Sequence, residues 1–138
     1  MQLNTVMISS VTEKDIAAKK TKRVLYVDDM RELREVARLA LSRSGHKVDC
    51  SPDGRQALEL VRANPGAFDI VITDHHMDVM NGIELVMKLR ELNFPGKIAV
   101  VSSELNLDVE ADYRRLGVER ILYKPVELSE LRSLVLEA

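Results

Sequence analysis

The chain has 138 residues, 46% apolar and 30% charged, with 20 Lys and Arg set against 22 Asp and Glu. That length accommodates one domain whose core needs no disulfide or structural metal. The lone cysteine, Cys50, excludes an intramolecular disulfide and a thiolate zinc site. A net charge of −2 and a pI near 5.9 argue against direct DNA binding, and no apolar run approaches the ~18 residues of a membrane span. The first twelve residues carry no charge, so a secretory signal with a basic start does not fit. These properties describe a cytoplasmic domain without a membrane partner.

Residues 1–21 read as a solvated leader, with Thr12 and Asp15 as the alternative start of one short helix through Lys20. Lys19, Lys20, Lys22 and Arg23 form a small basic patch of the kind that is usually solvated. One domain is expected over residues 22–138. It opens on the apolar run Val24 to Val27, which suits a strand covered on both faces. Leu33, Val36, Ala37, Ala40 and Leu41 then recur at helical spacing, with Gly45 as the stop. Lys47-Val48-Asp49-Cys50-Ser51 alternates polar and apolar residues, as a half-exposed edge strand does, and Cys50 is read there as a small apolar residue. Asp53 stands near the start of the next helix, whose stripe is Ala57, Leu58 and Val61, ended by Asn64-Pro65-Gly66.

A third strand is expected at residues 70–72, followed by a helix carrying Ile83, Val86 and Leu89 and closed before Pro95-Gly96. Residues 98–101 make a fourth strand, and a weaker helix runs from about Val109 to Leu116 with Gly117 after it. Residues 120–123 make a mixed, edge-like fifth strand, and Leu128, Leu131, Leu134 and Val135 mark the last helix. Met77, Met80 and Met87 are read as packing residues; Leu105 and Leu107, at the start of the fourth helix, read either as part of a contact face or, more plainly, as core. Five strand–helix alternations imply an α/β fold, a doubly wound five-stranded parallel sheet of order 2-1-3-4-5.

The polar residues that follow the strands fall into one group. Asp28 and Asp29 end the first strand, Asp74 the third, Ser102 and Ser103 the fourth, and Lys124-Pro125 the fifth. Open parallel sheets bind ligands outside the carboxyl ends of their strands, so these groups share one rim. Three clustered carboxylates repel one another, and a divalent cation answers that repulsion. All-oxygen ligation favours Mg²⁺, or Mn²⁺, over zinc. A lysine and a serine hydroxyl supply contacts for phosphoryl oxygens, and a carboxylate can attack phosphorus to form an aspartyl phosphate. Each piece alone also fits a helix start or an ordinary turn; the combination carries the assignment.

Val-Leu-Tyr-Val-Asp28-Asp29, Ile-Val-Ile-Thr-Asp74-His-His-Met77 with Gly82 eight residues past Asp74, Ile-Ala-Val-Val-Ser102-Ser103 and Leu-Tyr-Lys124-Pro125 together resemble the receiver domain of two-component response regulators. The resemblance spans roughly residues 22 to 138 and implies a stand-alone, CheY-like (βα)5 receiver. By resemblance, Asp74 accepts a phosphoryl group from a phosphohistidine on a sensor histidine kinase or histidine phosphotransfer protein. Asp28, Asp29, Asp74 and the main-chain carbonyl of His76 then hold Mg²⁺, and Ser102 and Lys124 contact the phosphoryl group. Output passes to a downstream protein target, because the chain stops about one helix after Lys124; a homodimer is compatible with this.

Three positions depart from the family pattern. Asp78 replaces the usual proline after the loop methionine, which predicts altered loop geometry with the chemistry retained. Ile121 stands where the family carries an aromatic switch residue, so an inward ring swing is not available. Ser102 replaces the commoner threonine. His75 and His76 diverge if the segment is extended, which disfavours a shared metal role. His76, two past Asp74, and Glu104, two past Ser102, occupy the flanking positions that tune aspartyl-phosphate lifetime in this family.

Rival readings fit less well. A phosphate-independent receiver-like scaffold typically lacks one of the acids or the lysine. A haloacid-dehalogenase phosphatase wants a second acid two residues after its nucleophile, where this chain has Met30, and a flavodoxin wants a hydroxyl- and glycine-rich first loop. No P-loop is present.

Overall fold

The computed structural model describes residues 21–138. The leader and the short helix considered from Thr12 to Lys20 lie outside the described residues, apart from Thr21.

Five strands and five helices alternate: β1 (Arg23–Val27), α1 (Arg31–Arg43), β2 (Lys47–Ser51), α2 (Gly54–Ala63), β3 (Ile70–Asp74), α3 (Gly82–Glu91), β4 (Lys97–Ser102), α4 (Leu107–Arg115), β5 (Arg120–Tyr123) and α5 (Leu128–Leu136). The strands form one parallel sheet in the order β2-β1-β3-β4-β5. In register, Val24 lies between Val48 and Ile70, Ile72 opposite Ala99, and Val101 opposite Leu122. The apolar runs are continuous because both faces of the central strands are covered, and alternate residues serve opposite sides. Leu25, Val27, Val71 and Val100 pack under α2, α3 and α4 through Ala57, Leu58, Leu85, Val86, Leu89 and Tyr113. Val24, Tyr26, Ile72 and Val101 pack under α1 and α5 through Ala37, Leu41, Leu131, Leu134 and Val135.

Helix starts follow from short polar side chains. Asp53 accepts the Gln56 amide at 2.8 Å, and Asn106 accepts that of Val109 at 2.8 Å. Asn81 and Glu84 form a reciprocal capping box at the start of α3, at 2.9 and 3.2 Å. The Asn106 cap starts α4 at Leu107, two residues before the expected Val109, and turns Leu107 outward at 83% exposure. The plain core reading of Leu107 is thereby corrected. Val36 and Met87 are likewise about half exposed, at 50 and 47%. Val36 flanks the buried stripe made by Ala37, Ala40 and Leu41, and Met87 follows the buried Leu85 and Val86 around the helix. Met77, Met80 and Leu105 do pack against the core.

Candidate functional site

The carboxyl ends of β1, β3, β4 and β5 bring the expected groups together. Asp28 and Asp74 are buried and Asp29 is exposed, and one carboxylate oxygen from each lies within 4.8 Å of the others. The Lys124 ammonium lies 3.1 Å from Asp28 and 3.5 Å from Asp74. Ser102 is fully buried at the end of β4, next to the end of β5, whose Lys124 amide donates to the Ser102 carbonyl at 2.8 Å. The Lys124–Pro125 peptide bond is cis.

Each acid is held by local chemistry. Asp28 accepts the Met30 amide at 2.9 Å, while Arg34 of α1 donates to the Asp28 carbonyl at 2.8 Å. The acids therefore do more than start a helix: α1 begins after Met30 with no side-chain cap. Asp74 accepts the His75 amide at 2.9 Å. Burial pushes the Asp74 carboxyl above its ordinary range; Lys124 opposes that shift and the like charge of Asp28 adds to it. Clustered hard oxygen donors of this kind fit Mg²⁺ or Mn²⁺, which take carboxylate and carbonyl ligands.

The loop after β3 makes a tight turn that starts at Asp78. Met80 donates to the Asp78 carbonyl at 2.7 Å around Val79, which sits at φ 68° with 81% of its surface exposed. Asp29, His75, His76, Met77, Asp78 and Asn81 line an open depression beside the acids.

The divergence expected of an extended segment is not found: the chain bends at His75 and the two imidazole rings meet edge to face, with centroids 4.8 Å apart, although they bond to different partners. His76 Nε2 lies 3.1 Å from the Glu104 main-chain carbonyl, which also accepts the Ser102 hydroxyl at 3.3 Å. His76 and Glu104 thus meet, through the Glu104 backbone. His75 turns inward, and its Nδ1 lies 2.5 Å from the Tyr113 hydroxyl of α4. Burial lowers the His75 pKa, with His76 adding to the effect, and burial raises that of Tyr113, with Asp74 adding. Both shifts favour the uncharged forms, a neutral phenol beside a neutral imidazole. Nothing in the local sequence pairs these residues, which stand 38 positions apart. Gly82 is the one nearby hint, since a Cβ there would lie 2.2 Å from the Tyr113 hydroxyl oxygen. Ile121 is half-buried against the α2–α3–α4 core.

Among the described residues, no helix is long and apolar enough to cross a membrane. A family model described as the response regulator receiver domain matches residues 24–136. Two-component response regulator 24 of Arabidopsis thaliana is 31% identical over 111 residues, covering 80% of this chain and 79% of that protein. Sensor histidine kinase AruS of Pseudomonas aeruginosa is 34% identical over 113 residues, covering 79% of this chain but 11% of the kinase. The chain spans 46 and 47% of two further curated regulators it matches. Among solved structures, chemotaxis protein CheY4 of Vibrio cholerae aligns with a TM-score of 0.77 at 26% identity, covering 85% of this chain and 98% of that one.

Proposed function

Because the chain belongs to the response regulator receiver family, we propose that it is a phosphorylation-controlled switch in which Asp74 accepts a phosphoryl group from a phosphohistidine. The donor is a sensor histidine kinase or a histidine phosphotransfer protein. The convergence of three carboxylates on one point, with Lys124 shared by Asp28 and Asp74, carries the proposal.

In the transfer, a carboxylate oxygen of Asp74 attacks phosphorus as the P–N bond to the donor imidazole breaks, and the bonding pair leaves with that nitrogen. Asp28, Asp29, Asp74 and the His76 carbonyl are the groups to hold Mg²⁺, which when bound neutralises and orients phosphoryl oxygens. Lys124 supplies the protein's own positive charge beside Asp74. The Ser102 hydroxyl gives up its 3.3 Å bond to the Glu104 carbonyl in favour of a phosphoryl oxygen. That exchange favours one arrangement of the loop before α4 over another. Aliphatic Ile121 adjusts by small shifts in packing, and output passes by contact with a protein target. His76 and Glu104 flank the acceptor and limit water access. Replacing both therefore changes the aspartyl-phosphate decay rate, measured by chase after labelling; an unchanged rate removes that role.

The test of the proposal is incubation with acetyl phosphate or phosphoramidate and Mg²⁺, followed by intact mass. One added phosphoryl group is expected, absent from Asp74→Asn and from metal-free samples. No gain with any small donor or phosphohistidine protein would mark the chain as a phosphate-independent scaffold.

A further inference from the structure

We propose that His75 and Tyr113 are a positioning pair, a hydrogen-bonded brace that fixes the loop after Asp74 against α4 and so sets the geometry of the acidic site. The inference rests on the phosphoacceptor assignment of Asp74 and adds to it two residues that touch none of the reacting atoms.

His75 is held at three points. Its amide donates to the Asp74 carboxylate at 2.9 Å, its carbonyl accepts the Gly82 amide at 2.9 Å, and its imidazole meets the Tyr113 hydroxyl at 2.5 Å. The rings cross edge to face, with centroids 5.5 Å apart and planes at 80°. Tyr113 has no exposed surface and is the only residue of α4 buried in the core. Packing alone does not account for it. Phenylalanine would fill the same volume, whereas a phenol placed so deep needs a polar partner, and His75 is that partner. The approach is tight: Gly82, at the start of α3, lacks the Cβ that would collide with the hydroxyl and with the Asp74 carbonyl. The brace therefore ties the end of β3, the start of α3 and the middle of α4 together at one residue next to the acceptor.

The consequence falls on the backbone between Asp74 and Met77. The His75 amide orients the acceptor carboxylate, and the next carbonyl, that of His76, is the main-chain oxygen assigned to the metal. Releasing the imidazole frees that segment to rotate, so the oxygens must be reordered whenever the cation binds. Lost preorganisation appears in affinity rather than in capacity.

The experiment uses the full chain with Mg²⁺ alone, titrated by calorimetry and by amide NMR, followed by acetyl phosphate labelling across Mg²⁺ concentrations. Tyr113→Phe and His75→Leu are expected to weaken Mg²⁺ binding about fivefold, the usual worth of one hydrogen bond, while labelling at saturating Mg²⁺ stays at the wild-type level. His75→Asn, whose Oδ1 stands as far from Cβ as Nδ1 does, restores the affinity in the presence of Tyr113 but not in Tyr113→Phe. In the wild type, Mg²⁺ shifts the amides of α4 around Tyr113, and this response is lost in Tyr113→Phe. If wild type binds Mg²⁺ and is labelled but the variants bind equally well, or if His75→Asn fails to rescue, the brace is refuted and the acceptor assignment stands. If wild type neither binds Mg²⁺ nor is labelled, the acceptor assignment itself fails.

Discussion

Replacing Gly82 by alanine probes the tightest contact at the site. A Cβ there would lie 2.2 Å from the Tyr113 hydroxyl oxygen, 2.8 Å from the Asp74 carbonyl and 3.0 Å from the His75 Cα. Two of these three are backbone atoms beside the acceptor and cannot turn aside as a side-chain tip does. Overpacking of this kind costs about 1–3 kcal/mol, offset by the roughly 0.4–1 kcal/mol that alanine contributes by stiffening the unfolded chain. A net loss of about 1–2 kcal/mol should lower the melting temperature by roughly 3–10 °C for a domain of this size. Tyr113→Phe alone costs about 1 kcal/mol, because it removes the hydrogen bond between the buried phenol and the His75 ring. In the double variant the 2.2 Å contact is gone and the carbonyl contact remains, so the two losses should fall short of additivity by about 1 kcal/mol. Urea unfolding of the four proteins, with unchanged slope, gives the cycle. A stabilised Gly82→Ala, or additivity within about 0.5 kcal/mol, would refute the steric reasoning.

Val79→Gly should stabilise the fold by about 0.5–1 kcal/mol, because a β-branched residue at φ 68° is strained and its exposed side chain forfeits no packing; urea midpoints check the sign. Asn81→Ala removes the α3 capping box and should cost about 1 kcal/mol in the same assay. His46 is buried, accepts the Lys22 amide at 3.0 Å through Nδ1, and has its pKa lowered by burial and then by the Lys22 charge. The unfolded chain therefore binds more protons just below pH ~6.5, and stability should fall as pH drops through that window. His46→Asn, which keeps an acceptor, should flatten the fall measured between pH 7.5 and 5.5. Asp74 has the opposite sign: its raised folded pKa means the ionised carboxylate is disfavoured in the fold above that value. Metal-free Asp74→Asn should therefore melt higher than wild type at pH 7 by scanning calorimetry.

What could be read from the chain was whatever repeats locally. The continuous apolar runs at β1, β3 and β4 and the period-two alternation at β2 are local patterns, and they yielded the strand order because central strands are covered on both faces and edge strands are not. Asp28, Asp74, Ser102 and Lys124 were legible because each directly follows a strand, and a parallel sheet gathers such positions at one rim. The His75–Tyr113 bond was not legible, since two residues on different elements leave no periodic mark. The inverted backbone at Val79 was hidden for the opposite reason: valine is the wrong residue for that conformation, so local propensity points away from it. The plain core reading of Leu107 fails because the cap at Asn106 decides which way the first turn of α4 faces.

The chain has no tryptophan, and its three tyrosines look at first like poor optical reporters. Their placement says otherwise for two of them. Tyr26 and Tyr113 lie on opposite sides of the sheet, each buried, and beside the effect of burial the charges of Asp28 and then Asp74 act on Tyr26 and that of Asp74 on Tyr113. A phenol's near-ultraviolet band moves with the field across the ring. Any neutralisation of the acidic rim should therefore appear in the near-ultraviolet absorbance, with one buried chromophore on each side of the sheet contributing and no label needed.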